Sequence, residues 1–144
     1  MELVSSAFEN GCRIPDIYSK KGKNIPPPLS FKDIPKNTKS LALIVEDPNG
    51  PLIKFVHWTV WNIPTDTKGI LEGEKITFPQ GKNSFQKTGY IGPCPPYGKH
   101  KYFFKLYALD TMLDVKPKSS KKKVEKAMSG HILQEAQLIG MFEK

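Results

Sequence analysis

A chain of 144 residues, 38% hydrophobic and 25% charged, is long enough to bury a core without disulfide or metal staples and short for two; a single domain over 1–144 is expected. The net charge of +8 is carried almost wholly by lysine, with Arg13 the only arginine, so the planar forks that clamp phosphates and read base edges are missing and specific nucleic-acid binding is not expected. Diffuse attraction to anionic surfaces needs charge but no geometry and is compatible with this balance.

At the amino end, MELVSSAFENG has no basic start and no long apolar stretch, so no signal peptide is predicted. The longest apolar run, LALIV at 41–45, is far too short to cross a bilayer, and with no transmembrane segment the cytoplasm is the expected compartment. Cys12 and Cys94 lack CxxC spacing and are too few for a disulfide framework. They read as small buried hydrophobes, with a single bridge between them left open.

LALIVED at 41–47 is apolar up to its acidic end, as in a strand buried on both faces. FVHWTVWNI at 55–63 is rich in Val, Thr and Trp and stops at Pro64, which predicts a second strand. The turn-rich stretch from Ile70 to Gly92 reads as a long surface excursion. GPCPPYGKHKYFF at 92–104 then crowds prolines and glycines into a stiff, shaped loop that feeds a strand of aromatics. In KYFFKLYALD at 101–110, Tyr102, Phe104, Leu106 and Ala108 share one face, and period two puts His100 on that face. Lys101, Lys105 and Tyr107 take the other face. Ser119 or Ser120 can cap a helix through KKKVEKAM that ends near Gly130, with ILQEAQLIGMF returning as a helical turn and a final strand. The fold class is therefore mainly β: a β-sandwich with one or two short helices near the carboxyl end.

Three polar residues can converge if the strands are neighbours: Asp47 at the end of the first, His57 within the second and His100 at the start of the third. Imidazoles donate hydrogen bonds to oxyanions, and a carboxylate fixes their tautomer. Gly92 and Gly98 let backbone amides approach a ligand. A phosphate or another oxyanion suits such an assembly; a ligand-free buried Asp–His pair is the alternative. No GxSxG elbow or other activated nucleophile accompanies the set, so no enzyme is predicted. Two histidines and a carboxylate can also ligate iron or zinc, but their dispersed positions give this little support, and neither metal nor cofactor is predicted.

EDPNGPLIKFVHWTVWNIP at 46–64 and GPCPPYGKHKYFFKLYALD at 92–110 resemble the two signature blocks of the phosphatidylethanolamine-binding protein family, which includes the Raf kinase inhibitor proteins. NIPPPLSF at 24–31 and GHILQEAQLIGMF at 130–142 resemble that family's early loop and carboxyl end, and the short C-terminus resembles its compact bacterial and archaeal branch. The resemblance implies a large antiparallel sheet packed on a smaller one. It also implies an anion pocket lined by Asp47, His57, His100 and Tyr102, bordered by Gly92 and Pro93, with Pro51 closing the first block. Two departures bear on the ligand. Asn49 stands where the family usually has a second Asp, which weakens attraction for an ammonium group while sparing an anion, and Lys101 replaces the usual Arg after the histidine.

The resulting expectation is a non-enzymatic binding or regulatory protein whose partner is a small phosphate- or carboxylate-bearing ligand. The resemblance also implies an alternative, serine protease inhibition through an exposed segment, since some family members inhibit proteases. Candidate segments are the excursion at 65–90 and the carboxyl tail, with Phe78 or Phe85 as the ring for an apolar specificity pocket, unless both are core.

Overall fold

A computed structural model describes residues 1–49 and 54–144; Pro51 lies outside the described residues. In chain order the elements are β1 (Glu2–Val4), a 3-10 turn (Asp16–Tyr18), β2 (Leu29–Lys32), β3 (Ser40–Asp47), β4 (Phe55–Ile63), β5 (Gly69–Ile70), β6 (Lys99–Leu109), α1 (Lys121–Met128) and β7 (Ile132–Glu143). They form two antiparallel sheets, β1-β2-β5 and β4-β3-β6-β7. This is the expected large sheet and small sheet. No described helix is long and apolar enough to cross a membrane.

All eight residues of β3 are buried, because the strand is interior to its sheet and covered on both faces. Leu41, Leu43 and Val45 join Trp58, Val60, Tyr102, Phe104 and Leu106 against Leu3, Leu29, Phe31 and Ile70, which include apolar residues of all three small-sheet strands. Ala42 and Ile44 face the other way, with Trp61, Tyr107 and Leu109, and are covered by Leu113, Val124 and Met128. Val124 and Met128 are the apolar stripe of α1, whose N-cap is Ser120: its side chain accepts from the Lys123 N–H. Only the far end of the second face of β6 joins this cluster: Tyr107 is buried with Val124 and Met128, whereas Lys101 remains exposed.

Period two also separates the two acidic residues that end β3. Glu46 points to the helix side, where its carboxylate accepts from Lys105 Nζ at 3.1 Å and Lys121 Nζ at 2.5 Å. Burial by itself would raise this carboxyl, but the bonds from Lys121 and Lys105 outweigh it and hold Glu46 below its ordinary value. Asp47 points to the opposite face, in line with Leu43 and Val45.

Two details depart from the sequence expectation. Ile132 starts a strand directly, with no helical turn, because β7 pairs with β6 from Leu109 opposite Ile132 to Lys99 opposite Glu143. The short strands β1, β2 and β5, of three, four and two residues, were not anticipated.

Because Lys121 fastens the first turn of α1 to β3, Lys121→Met should cost about 1–3 kcal/mol near neutral pH. Since the Glu46 carboxyl is held low, its contribution is full above the ordinary carboxylate value and lost as pH falls through the lowered one. The gap between variant and wild type should therefore narrow in acid, read from urea midpoints across pH; a pH-independent gap would show that the ion pair is not its origin.

Candidate functional site

The register of the large sheet carries β3, β4 and β6 to one end of the sandwich. Along β4, Val45 pairs with Trp58 and Glu46 with Val56, so His57 has no partner on β3 and sits at a β-bulge. On β6, His100 lies opposite Phe142 of β7, two residues before Tyr102 and on the same face. Asp47, His57, His100 and Tyr102 converge on one cavity of about 110 Å³, completed by Phe55, Phe85 and the run Cys94–Pro96.

Asp47 is 3% exposed. Its Oδ2 accepts from His100 Nδ1 at 2.5 Å and its Oδ1 from the Asn49 N–H at 2.8 Å, so both oxygens are engaged. The Asp47 bond orients the His100 ring and leaves Nε2 as its remaining polar atom.

His57 is held differently. Its Nδ1 lies 2.7 Å from the Ile91 carbonyl, an acceptor, so Nδ1 carries the hydrogen and donates. The Ile91 N–H returns a bond to the His57 carbonyl at 2.9 Å. Burial drives the His57 pKa down from 6.5 to about 4, and the backbone of Ile91 and the charge of Asp47 oppose this without cancelling it. At neutral pH His57 is therefore an uncharged ring whose free Nε2 is an acceptor. Around it the rings of Phe55 and Tyr102 lie 4.7 and 5.1 Å away, and Phe85 stacks edge-on against Phe55 at 5.2 Å. The Tyr102 phenol is pushed up by burial first and by the nearby Asp47 charge second. Burial likewise raises the Cys94 thiol, with Lys20 pulling the other way.

The rim differs from the expected Gly92 and Pro93. Pro93 lines a larger neighbouring groove, and Gly92, though it lines neither space, brings its backbone to the His57 ring behind the cavity. Gly92 is instead a packing point: a Cβ there would sit 2.0 Å from the Tyr18 carbonyl oxygen. Its N–H donates to Asn24 Oδ1 at 2.7 Å, and the Lys20 N–H donates to the Pro93 carbonyl at 3.0 Å. These contacts fasten the proline loop to residues 18–24 and present Cys94–Pro96 as the cavity wall.

Phe55, Phe85 and that wall were missed by sequence reasoning. Phe55 was accessible to it, since period two places Phe55 beside His57's face and β-register sets it opposite Asp47. Phe85 was not: it comes from a tight turn in which Asn83 Oδ1 accepts the Phe85 N–H at 2.9 Å. It is 43% exposed rather than core, whereas Phe78 packs against the core in part. Both cysteines are free, and Cys12 is exposed, not buried as a small hydrophobe. Among the described residues, no three His, Cys, Asp or Glu side chains form a metal-holding group.

Gly92→Ala should destabilise the fold by about 1–3 kcal/mol, because the Tyr18 backbone must move to admit the methyl group. Thermal unfolding indistinguishable from wild type would contradict the packing role. A second outcome concerns His57, whose folded value of about 4 lies below its ordinary 6.5. Its stabilising contribution is then complete above the ordinary value and is lost as pH falls towards the lowered one. The change is roughly 2 kcal/mol between about pH 7.5 and about pH 5. His57→Gln should flatten that part of the stability–pH curve; an unchanged slope would mean another group sets it.

Comparison with known proteins agrees with this arrangement. The family model described as phosphatidylethanolamine-binding protein matches residues 4–143. A "UPF0098 protein" of Methanothermobacter thermautotrophicus is 47% identical, covering 100% of this chain and 99% of its own, and one of Chlamydia muridarum is 45% identical with the same coverage. Among solved structures, a phosphatidylethanolamine-binding protein homologue of Chlamydia trachomatis superimposes with a TM-score of 0.95 at 43% identity, covering 99% of this chain and 97% of that one. Escherichia coli YBCL, described as a member of the mammalian family, does so with 0.93 at 29% identity, covering 99% and 98%. With a family match over nearly the whole chain and both signature blocks meeting at one cavity, this chain belongs to the phosphatidylethanolamine-binding protein family.

Proposed function

We propose that the cavity binds a small oxyanion of the phosphate-monoester type and that the protein is a binding or regulatory protein rather than an enzyme. The observation that carries this is the pairing of His100 Nδ1 with the buried Asp47 carboxylate at 2.5 Å, across a cavity from a neutral His57. In the complex His100 gives its Nε2–H to an anionic oxygen, with the Asp47 carboxylate behind the ring as countercharge. His57 offers only an acceptor, so the complementary ligand brings a hydrogen of its own. A monoprotonated phosphate monoester has both: anionic oxygens for His100 and a hydroxyl for His57. The cavity volume of about 110 Å³ accommodates such a headgroup and little more. Burial raises the Cys94 thiol and the Tyr102 phenol, so neither is an activated nucleophile, which favours binding over catalysis.

For a phosphorylethanolamine headgroup the ammonium end is less well served. Both Asp47 oxygens already accept hydrogen bonds, and Asn49 adds no charge. Protease inhibition has less to support it. Phe78 is partly buried against the core, and Phe85 forms part of the cavity wall rather than a protruding anchor.

Methyl phosphate should bind, and His100→Ala should weaken it by roughly 1–3 kcal/mol. Methyl sulfate has the same shape and, near about pH 5.5, the same charge but no hydrogen to donate, and should bind about tenfold more weakly there. The phosphate affinity should fall as pH rises and the ligand loses the proton that it gives to His57. Calorimetry showing equal affinity for the two esters, an unaffected His100→Ala variant, or tighter binding at high pH would refute the reading.

A further inference from the structure

Beside the cavity lies a groove of about 720 Å³ that shares Phe85, Cys94, Pro95 and Pro96 with it, so the two spaces are separated only by this common wall. The far side of the groove is basic. Arg13 is paired with Asp16 at 2.6 Å, whereas Lys20 and Lys21, which also line the groove, have no ion-pair partner among the described residues.

Lys20 is not a loose surface lysine. Its backbone N–H is tied to the Pro93 carbonyl at 3.0 Å, a contact made possible by the close approach of Gly92 to residues 18 and 19. Its Nζ stands 4.8 Å from the centre of the Phe85 ring, in cation–π contact with the residue that divides the two spaces. Its charge reaches Cys94, which also feels Asp47 inside the cavity. The same loop therefore walls the oxyanion cavity and fixes a cation outside it.

We propose that the groove is the second half of one binding site. It receives the far end of a phosphate monoester that carries a second anionic group, phosphate or carboxylate, with Lys20 and Lys21 as its countercharge. This rests on the oxyanion reading of the cavity. The body of the ligand crosses the Phe85 edge and the faces of Pro95 and Pro96, which are apolar, so the connecting chain need carry no polar groups. Exposed lysines contribute modestly, and their contribution is screened by salt.

The test compares two alkyl phosphates of equal chain length, one ending in methyl and one in a second phosphate, over a series of lengths at low ionic strength. At the best length the doubly phosphorylated ligand should bind about three- to tenfold tighter, and the advantage should shrink with added salt. In Lys20→Gln/Lys21→Gln that ratio should collapse towards one. Lys122→Gln/Lys123→Gln, on the remote helix α1, makes the same change in net charge and should keep the ratio. Equal affinity of the two ligands at every length, or a ratio that survives loss of Lys20 and Lys21 or disappears with Lys122 and Lys123, overturns this inference alone. Failure of either ligand to bind overturns the oxyanion reading and this inference with it.

Discussion

Two carboxylates in succession at the end of a fully buried strand have to leave the sheet on opposite sides, and the architecture follows from that alternation. Glu46 goes to the helix side and is satisfied by two lysines, one from β6 and one from the first turn of α1. Asp47 goes to the other side and is satisfied by His100 and the Asn49 N–H. A slip of one residue would exchange the two environments, leaving one carboxylate without its cations and His100 without its partner. The register that closes the core is thus the register that builds the cavity.

The cavity then divides its two histidines by environment. His100 has a carboxylate at its back, whereas His57 has a carbonyl at its back and a nearly complete apolar surround, so burial keeps it uncharged. One ring is suited to give a hydrogen bond and the other to receive one. The bulge at His57 has a clear use in this light. It takes the residue out of the β3 ladder and lets its ring bond to Ile91, which fixes the tautomer.

Much of this could be read from the sequence because it depends on period two and on strand neighbours. LALIVED read as buried on both faces because it is, and the shared face of His100, Tyr102 and Phe104 follows from alternation alone. Other features have no local signal. β1 and β5 are too short to show periodicity and exist only because β2 is there to pair with them. Gly92 and Pro93 were expected at the rim because the family resemblance implies it. What the glycine serves is a close contact with Tyr18, more than seventy residues away in the chain. Phe85 and Lys20 enter through turns whose placement depends on Asn83 and Pro93, and neither belongs to a periodic segment.

The division of roles between the two histidines is tested most directly by long-range ¹H–¹⁵N NMR of their rings, followed from neutral pH into mild acid with and without methyl phosphate. The account predicts that His57 stays in the neutral Nδ1–H form throughout, with Nε2 unprotonated, and that the ligand shifts the Nε2 signals of both His57 and His100. A His57 ring that is doubly protonated at neutral pH, carries its hydrogen on Nε2, or is unmoved by the ligand would contradict it.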